Sequence, residues 1–180
     1  MRAKPLFLAM IFFGAAAWAQ PAARTQAPDV IYVPTPHEVV DEMLKLGAVK
    51  KGDVLYDLGS GDGRIPVTAA KKFGIRAVGI DIDPQRIEEA KENARKNGVA
   101  NLVQFRQEDL FRAKFGEATV VTLYLLPELN VKLRPKLLAE LKPGARIISH
   151  QFDMGTWKPD RQVELSGRTI YLWTVPKKNP

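Results

Sequence analysis

Short apolar runs alternate with segments of helical period along nearly the whole chain from residue 35, and this alternation restricts the fold more than any other feature. A first helix is predicted to start at Thr35-Pro36, with Thr35 as its cap and Pro36 in its first turn. Further helices are predicted over 65–73, 84–97 and 127–141. Pro135 is expected to divide the last of these into two helices or to kink it. Strands are predicted at 54–58, 77–82, 102–106, 118–126 and 146–152, with a closing hairpin of 162–165 and 169–175. Such alternation favours right-handed crossovers and a doubly wound α/β fold, a mainly parallel sheet with helices on both faces.

The first nineteen residues have the pattern of a secretory signal peptide or a short N-terminal anchor. Arg2 and Lys4 precede an apolar stretch, and Ala17-Trp18-Ala19 resembles a cleavage site. Residues 20–30 are interpreted as a flexible leader, and residues 31–176 as a single domain. The expectation is an exported or membrane-associated protein, with membrane proximity through this segment; a cytoplasmic domain on an uncleaved anchor is the alternative.

Charge and composition exclude several classes of function. The chain of 180 residues has no cysteine, so it has neither a disulfide framework nor a thiolate nucleophile. Its net charge is +7, but the basic residues are scattered over helix faces without interleaved aromatic residues, and no nucleic-acid partner is expected. The two histidines, His37 and His150, belong to different predicted elements, so no metal site is expected either.

A glycine-rich stretch, DLGSGDGR, follows the first predicted strand at residues 57–64. In a parallel sheet, the first strand-to-helix turn lies beside the ligand, where glycine lets backbone approach closely. The spacing of Gly59, Gly61 and Gly63 differs from the dinucleotide fingerprint, and Asp62 would repel a phosphate. The loop therefore favours an adenosine-bearing ligand that has no phosphate and carries positive charge, and it disfavours a nicotinamide-dependent oxidoreductase.

Two further acids stand at the ends of successive predicted strands. Asp81 ends the second strand in VGIDID, where a carboxylate can accept hydrogen bonds from both ribose hydroxyls. Asp109 follows the third strand in FRQEDLF, where it can accept from an adenine amino group. Acids at successive strand ends indicate a nucleoside site more strongly than any one of them alone.

In this order, DLGSGDG, GIDID, QEDLF and TLYLLP resemble the class I S-adenosylmethionine-dependent methyltransferases. The resemblance implies the strand order 3-2-1-4-5-7-6 and S-adenosylmethionine as cofactor, with S-adenosylhomocysteine as product. It implies cofactor contacts from Asp57 and the loop Gly59, Gly61, Asp62 and Gly63, from Asp81 with Ile82, and from Asp109 with Leu110. The stretches YVPTPHEVV and LYLLPELNVKLRPKLL are more narrowly similar to bacterial relatives of the membrane-associated protein-lysine methyltransferases of the ATP synthase c-subunit type, which implies a protein substrate with an accessible lysine.

Candidates for the acceptor side follow the fourth and fifth predicted strands. They are Tyr124 and Glu128 after the fourth, and His150 and Asp153 after the fifth. Tyr124 is the first choice for lining the methyl-transfer site, and His150 is a candidate base or a structural residue. Tyr32 and the following VPTP are predicted to lie over the cofactor as a lid.

Only about ten residues separate the fifth strand from the hairpin, too few for a covering helix. An open acceptor side suits a protein segment, while a small-molecule N- or O-methyltransferase and a non-catalytic cofactor-binding protein remain alternatives.

Overall fold

The computed structural model describes residues 32–177. The helices are α1 (His37–Leu46), α2 (Arg64–Phe73), α3 (Pro84–Lys96) and α4 (Pro127–Glu140). The strands are β1 (Val54–Leu58), β2 (Arg76–Asp81), β3 (Val103–Gln107), β4 (Val120–Leu123), β5 (Arg146–His150), β6 (Arg161–Leu165) and β7 (Arg168–Thr174). They form one seven-stranded sheet in the order β3-β2-β1-β4-β5-β7-β6. The predicted doubly wound fold and its strand order are confirmed.

Strand direction decides where the ligand side of the sheet lies. Strands β1 to β5 pair in parallel, whereas β7 runs antiparallel between β5 and β6. Asp57 in β1 stands in register with Gly79 of β2 and Thr122 of β4. The carboxyl ends of the parallel strands therefore meet at one edge, where an open α/β sheet binds its ligand.

Alternating side chains on each strand give the sheet two apolar faces. Leu55 and Val120 pack with helices α1 and α2, while Tyr56 and Val121 point to the other face and join the cluster beneath α4. Helix α3 packs with α2 through a smaller cluster centred on Phe105. Burial on both faces explains why the central strands β1 and β4 are mostly apolar, whereas the edge strand β3 carries Gln104, Arg106 and Gln107.

Three predicted details differ from the structure. Helix α1 begins at His37, and the side chain of Thr35 does not cap it, because that hydroxyl lies 3.2 Å from Nδ1 of His150. Helix α4 is one helix that contains Pro135, which excludes the predicted alternative of two helices; the fully buried Leu133 and Leu137 on either side hold it against the sheet despite the lost N–H donor. Strand β4 stops at Leu123, since residues 124–126 leave the ladder at the ligand edge.

The predicted signal-like segment 1–19 and leader 20–30 lie outside the described residues. Within residues 32–177, none of the helices has the length and apolar character needed to cross a membrane.

Candidate functional site

A cleft of about 320 Å³ opens at the carboxyl edge of the sheet, and its walls come from the ends of β1, β2, β3 and β4. Nine of the predicted site residues line it: Tyr32, Asp57, Gly59, Asp62, Asp81, Ile82, Asp109, Leu110 and Tyr124. The predicted Gly61, Gly63, Glu128, His150 and Asp153 are outside this lining. The topology therefore joins residues from five separate stretches of sequence into one cavity.

The cavity is acidic although the whole chain is basic. Its lining contains Asp57, Asp62, Asp81, Asp83, Glu108 and Asp109 but only two arginines, Arg64 and Arg86. Since Asp62 is paired with Arg64 at 2.6 Å, the remaining excess of carboxylates favours a cationic ligand and repels phosphate.

Asp57 is the most deeply placed of these acids, with 2% of its surface exposed. Burial raises the pKa of Asp57 to about 8, the charges of Asp81 and Asp62 act in the same direction, and a hydrogen bond from Thr122 Oγ1 at 2.7 Å opposes them. A buried carboxyl with such a raised pKa is ionised more easily when a cation binds beside it, because a nearby opposite charge favours the ionised form.

The glycine loop is tied to β2 by backbone hydrogen bonds. The N–H groups of Gly59 and Ser60 both donate to the carbonyl of Ile80, at 2.8 and 2.9 Å, and the N–H of Gly61 donates to Asp81 Oδ2 at 2.8 Å. Asp81 Oδ1 also accepts from the N–H of Asp83 at 3.0 Å. The Asp81 carboxylate is thus held in a fixed orientation at the strand end, as binding a diol requires.

Two of the loop glycines face protein side chains. A Cβ on Gly61 would lie 2.2 Å from the ring of Tyr32, and one on Gly63 would lie 2.5 Å from the ring of Phe105; both residues have positive φ. Backbone conformation and packing therefore account for glycine at these two positions, which the sequence had assigned to cofactor contact. Gly59 is the loop glycine that reaches the cavity.

The turn after β3, where the sequence predicts the adenine contact, contributes an acid and apolar side chains to the cavity. Asp109 Oδ1 accepts from the N–H of Phe111 at 2.9 Å, which holds the turn after β3. Ile82, Leu110 and Phe111 also line the cavity. A flat aromatic base fits between such side chains, with a carboxylate at its edge.

Residues 32–36, here called the lid segment, lie across the cavity. The ring of Tyr32 covers Gly61 and stacks under the guanidinium of Arg86, whose Cζ is 4.7 Å from the ring centroid. The carbonyl of Thr35 accepts from Arg64 at 2.9 Å. Arg64 also binds Asp62, and although burial alone would raise the pKa of Asp62, the hydrogen bonds and charge of Arg64 lower it below the ordinary value.

Tyr124, the predicted acceptor-side residue, lines the cavity together with Leu125 and Leu129. The imidazole of His150 packs against it, with ring centroids 4.0 Å apart, and is buried behind the lining. Burial, with a smaller effect from the charge of Arg168, lowers the pKa of His150 to about 4. The imidazole is therefore neutral near pH 7, and its position and weak basicity suit a structural role better than that of a base.

The other two acceptor-side candidates are surface residues. Asp153 is exposed and caps a turn by accepting from the N–H of Gly155 at 2.9 Å. Glu128 is exposed in the first turn of α4. Neither reaches the cavity lining, which leaves Tyr124 as the predicted acceptor-side residue that does.

Several lining residues were missed from the sequence. Arg64 directly follows the glycine loop and Arg86 lies one helical turn after the cap at Asp83, so their spacing was a usable signal. Glu108 and Phe111 carried no comparable signal, because their place depends on how the turn after β3 folds.

The family model described as "ANTKMT methyltransferase domain" matches residues 57–161. The chain belongs to this methyltransferase family. The predicted class I S-adenosylmethionine-dependent methyltransferase is thereby confirmed, as are its narrower resemblance and its cofactor. The acidic, phosphate-repelling cavity with its buried Asp57 fits a cofactor that has both an ammonium and a sulfonium group.

Individual relatives agree with this assignment. A protein-lysine N-methyltransferase of Saccharolobus islandicus is 44% identical to the methyltransferase over 82% of this chain and 95% of that protein. The human lysine N-methyltransferase of the ATP synthase c-subunit is 33% identical over 72% of the chain, which spans only 54% of that longer protein. A solved structure from Salinibacter ruber, described as an RNA methyltransferase in complex with S-adenosyl-L-homocysteine, is 59% identical, with a TM-score of 0.80 over 82% of this chain and 97% of that one.

Proposed function

We propose that this methyltransferase methylates lysine side chains of a protein substrate. The observation that carries the proposal is the acidic cavity whose acceptor side is walled by Tyr124, Leu125 and Leu129 and left without a covering helix after β5. Carboxylates attract a cationic side chain, and an uncovered side admits one that projects from a folded protein. The similarity to the Saccharolobus protein-lysine methyltransferase over almost its full length supports the same acceptor.

The cofactor would be held by the acids at the strand ends. Asp57 would balance its positive charge, Asp81 would accept from the ribose hydroxyls, and Asp109 would accept at the adenine edge. S-adenosylmethionine supplies a methyl group on a sulfonium, which is transferred by in-line displacement without a covalent enzyme intermediate. The contribution of this chain is therefore positioning and the exclusion of water.

The acceptor amine must lose a proton before it can attack, because a lysine ammonium has an ordinary pKa of about 10.4. The apolar side chains of Leu125 and Leu129 and the ring of Tyr124 would desolvate the ammonium, which lowers its pKa. With His150 buried behind Tyr124, the proton would leave to solvent through the uncovered side.

RNA is the second candidate acceptor, favoured by two observations. The Salinibacter neighbour is described as an RNA methyltransferase. Residues 124–177 hold nine basic and five acidic residues, whereas residues 32–123 hold 14 of each, so the excess positive charge of the described chain lies on the α4-to-β7 half. We favour protein because the carboxylates around the cavity would oppose a phosphate backbone at the point of transfer.

The test is methyl transfer from labelled S-adenosylmethionine by the full chain, with Tyr124→Ala as the matched inactive control. The acceptors are a nuclease-treated protein extract, a protease-treated RNA extract and a small-molecule filtrate. Mono-, di- or trimethyl-lysine in hydrolysed protein, found by mass spectrometry and lost in the control, is the expected result. Label in nucleosides or in the filtrate alone would overturn the lysine proposal, and S-adenosylhomocysteine binding without transfer to any acceptor would indicate a non-catalytic binding protein.

A further inference from the structure

A buried amide near the start of α4 is outside the cavity yet connected to it. Asn130 has no exposed surface, and its Nδ2 group donates to Ser149 Oγ at 3.1 Å, to the carbonyl of Phe152 at 3.1 Å and to that of Asp153 at 3.2 Å. Ser149 Oγ in turn donates to the Phe152 carbonyl at 2.6 Å. These bonds fasten the end of β5 and the turn after it to α4.

The turn held in this way has an unfavourable backbone conformation. Gln151 has a φ of 69°, in the left-handed region that residues other than glycine rarely adopt. Its N–H donates to the carbonyl of Thr169 at 2.7 Å, and the N–H of Phe152 donates back to the carbonyl of His150 at 2.9 Å. Such a conformation persists only where its surroundings impose it, and the bonds from Asn130 and Ser149 supply that constraint.

The turn presents two rings to Tyr124. The centroid of His150 is 4.0 Å from that of Tyr124, and the ring of Phe152 stacks on Tyr124 at 6.3 Å with an interplanar angle of 21°. Tyr124 follows β4 and lines the acceptor side of the cavity. The orientation of its ring therefore depends on where the turn places His150 and Phe152.

We propose that Asn130 is a positioning residue for methyl transfer, acting through the turn of residues 150–152 to hold the ring of Tyr124 at the acceptor wall. Methyl transfer needs the acceptor atom aligned with the methyl group, and a displacement of about 1 Å can cost roughly 100-fold in rate. The proposal depends on the methyltransferase activity and on Tyr124, and it applies whether the acceptor is lysine or RNA.

The donors of the amide decide which substitutions are informative. Asn130 Oδ1 is buried and has no hydrogen-bond partner, so the amide contributes to the network through Nδ2 alone. Asn130→Asp places an acceptor-only group against the carbonyls of Phe152 and Asp153, and Asn130→Leu keeps the volume but removes every donor. Ser149→Ala is a milder variant that weakens the same turn.

A matched control lies at the opposite edge of the sheet. Thr119 Oγ1 donates to Asp53 at 2.7 Å and accepts from the N–H of Val54 at 2.9 Å, just before β4 begins. Thr119→Val removes a partly buried polar network of similar size far from the cavity. It therefore reports the cost of lost stability without a change at Tyr124.

The first readout needs no acceptor. The chain has four tyrosines, so 3-fluorotyrosine labelling gives a ¹⁹F spectrum in which Tyr124 is assigned from the Tyr124→Phe variant. The Asn130 variants are expected to shift or broaden the Tyr124 signal and to leave that of Tyr56 unchanged, whereas Thr119→Val should leave the Tyr124 signal in place. A Tyr124 signal that is unchanged in a folded Asn130 or Ser149 variant would overturn the proposal.

The second readout is a double-mutant cycle on the transfer rate, run with the acceptor class that the wild-type chain labels. Asn130→Leu is expected to lower kcat at least about 10-fold while the Kd for S-adenosylhomocysteine changes less than about twofold. Because Asn130 acts through the turn that carries His150 and Phe152, Asn130→Leu should cost less in the Phe152→Ala background than in the wild type. Additive losses of kcat, or a loss of kcat equal to that of Thr119→Val, would mean that Asn130 has a structural role only. If the wild-type chain labels RNA, that result would contradict the lysine proposal and leave the proposal for Asn130 unaffected.

Discussion

Replacing Asp57 by asparagine should stabilise the fold increasingly as the pH rises. The carboxyl has an unfolded pKa of 3.8 and a folded pKa of about 8, raised chiefly by burial. Between these values the folded protein holds a proton that the unfolded chain has lost, so the stability of the wild type falls by about 1.4 kcal/mol per pH unit. An asparagine at this position still has an oxygen that accepts a hydrogen bond from Thr122. It does not titrate, so the stability of the variant does not fall with rising pH in this way.

The size of the effect follows from the same two pKa values. The stability difference between Asp57→Asn and the wild type should grow by about 2.5 kcal/mol from pH 5 to pH 7 and level off above about pH 8, where the folded carboxyl ionises. Urea unfolding of both proteins at pH 5, 6, 7 and 8 measures it, and the difference between variants removes the pH dependence of all other groups.

Asp62→Asn is the control for that experiment. The pKa of Asp62 lies below its ordinary value because Arg64 outweighs the effect of burial, so its contribution is complete above pH 5 and is lost only at lower pH. The difference between Asp62→Asn and the wild type should therefore be flat from pH 5 to pH 8. A difference for Asp57→Asn that is equally flat would refute the assignment of a raised pKa to this buried carboxyl.

Three other predictions concern the cofactor, the reaction and the N-terminal segment. Asp81→Ala should weaken S-adenosylhomocysteine binding by about 10- to 150-fold in titration calorimetry, since a charge-assisted hydrogen bond is lost and the N–H of Gly61 loses its acceptor. An unchanged Kd would show that Asp81 does not bind the cofactor. With S-adenosylmethionine saturating, so that its charge keeps Asp57 ionised, the log of kcat/KM for the acceptor should rise with unit slope between pH 6 and pH 9 and keep that slope in His150→Gln, because burial lowers the pKa of His150 to about 4. An inflection near pH 6.5 that disappears in the variant would restore His150 as the base. Expression of the full chain in a bacterial host should yield a product shortened after Ala19 or a membrane-bound one, measured by mass spectrometry after fractionation, and an intact protein in the soluble cytoplasmic fraction would exclude both interpretations of residues 1–19.

The fold could be predicted because the relevant signals are local. Apolar runs such as ATVVTLYLL mark buried strands, and the glycine loop and the acids at strand ends mark the ligand edge. The continuity of α4 through Pro135 could not be predicted, since the buried contacts of Leu133 and Leu137 that hold it form only in the folded protein.

The cofactor half of the site was more predictable than the acceptor half. Asp81 and Asp109 follow from strand ends and Asp57 from the family resemblance, whereas the wall formed by Tyr124, Leu125 and Leu129 depends on contacts across the fold. The sequence left His150 as a candidate base or a structural residue, because its burial behind Tyr124 and its contact with Thr35, 115 residues earlier, are not local properties. Asn130 had no sequence signal, because its partners belong to a turn whose geometry the sequence does not show.

The order of the strands affects how the chain folds while it is being synthesised. Strand β7 lies between β5 and β6 and is the last strand along the sequence, so until residues 168–174 leave the ribosome the edge of β5 has no partner on that side. An unpaired strand edge can pair with other chains. The contact between Thr35 and His150 also needs β5 in place, so the segment over the cavity is held there only after residues 146–150 have been made. A truncation just before Arg168 would leave the glycine loop and its acids intact in sequence, yet it would expose a hydrogen-bonding edge in the middle of the sheet and yield a chain prone to aggregate.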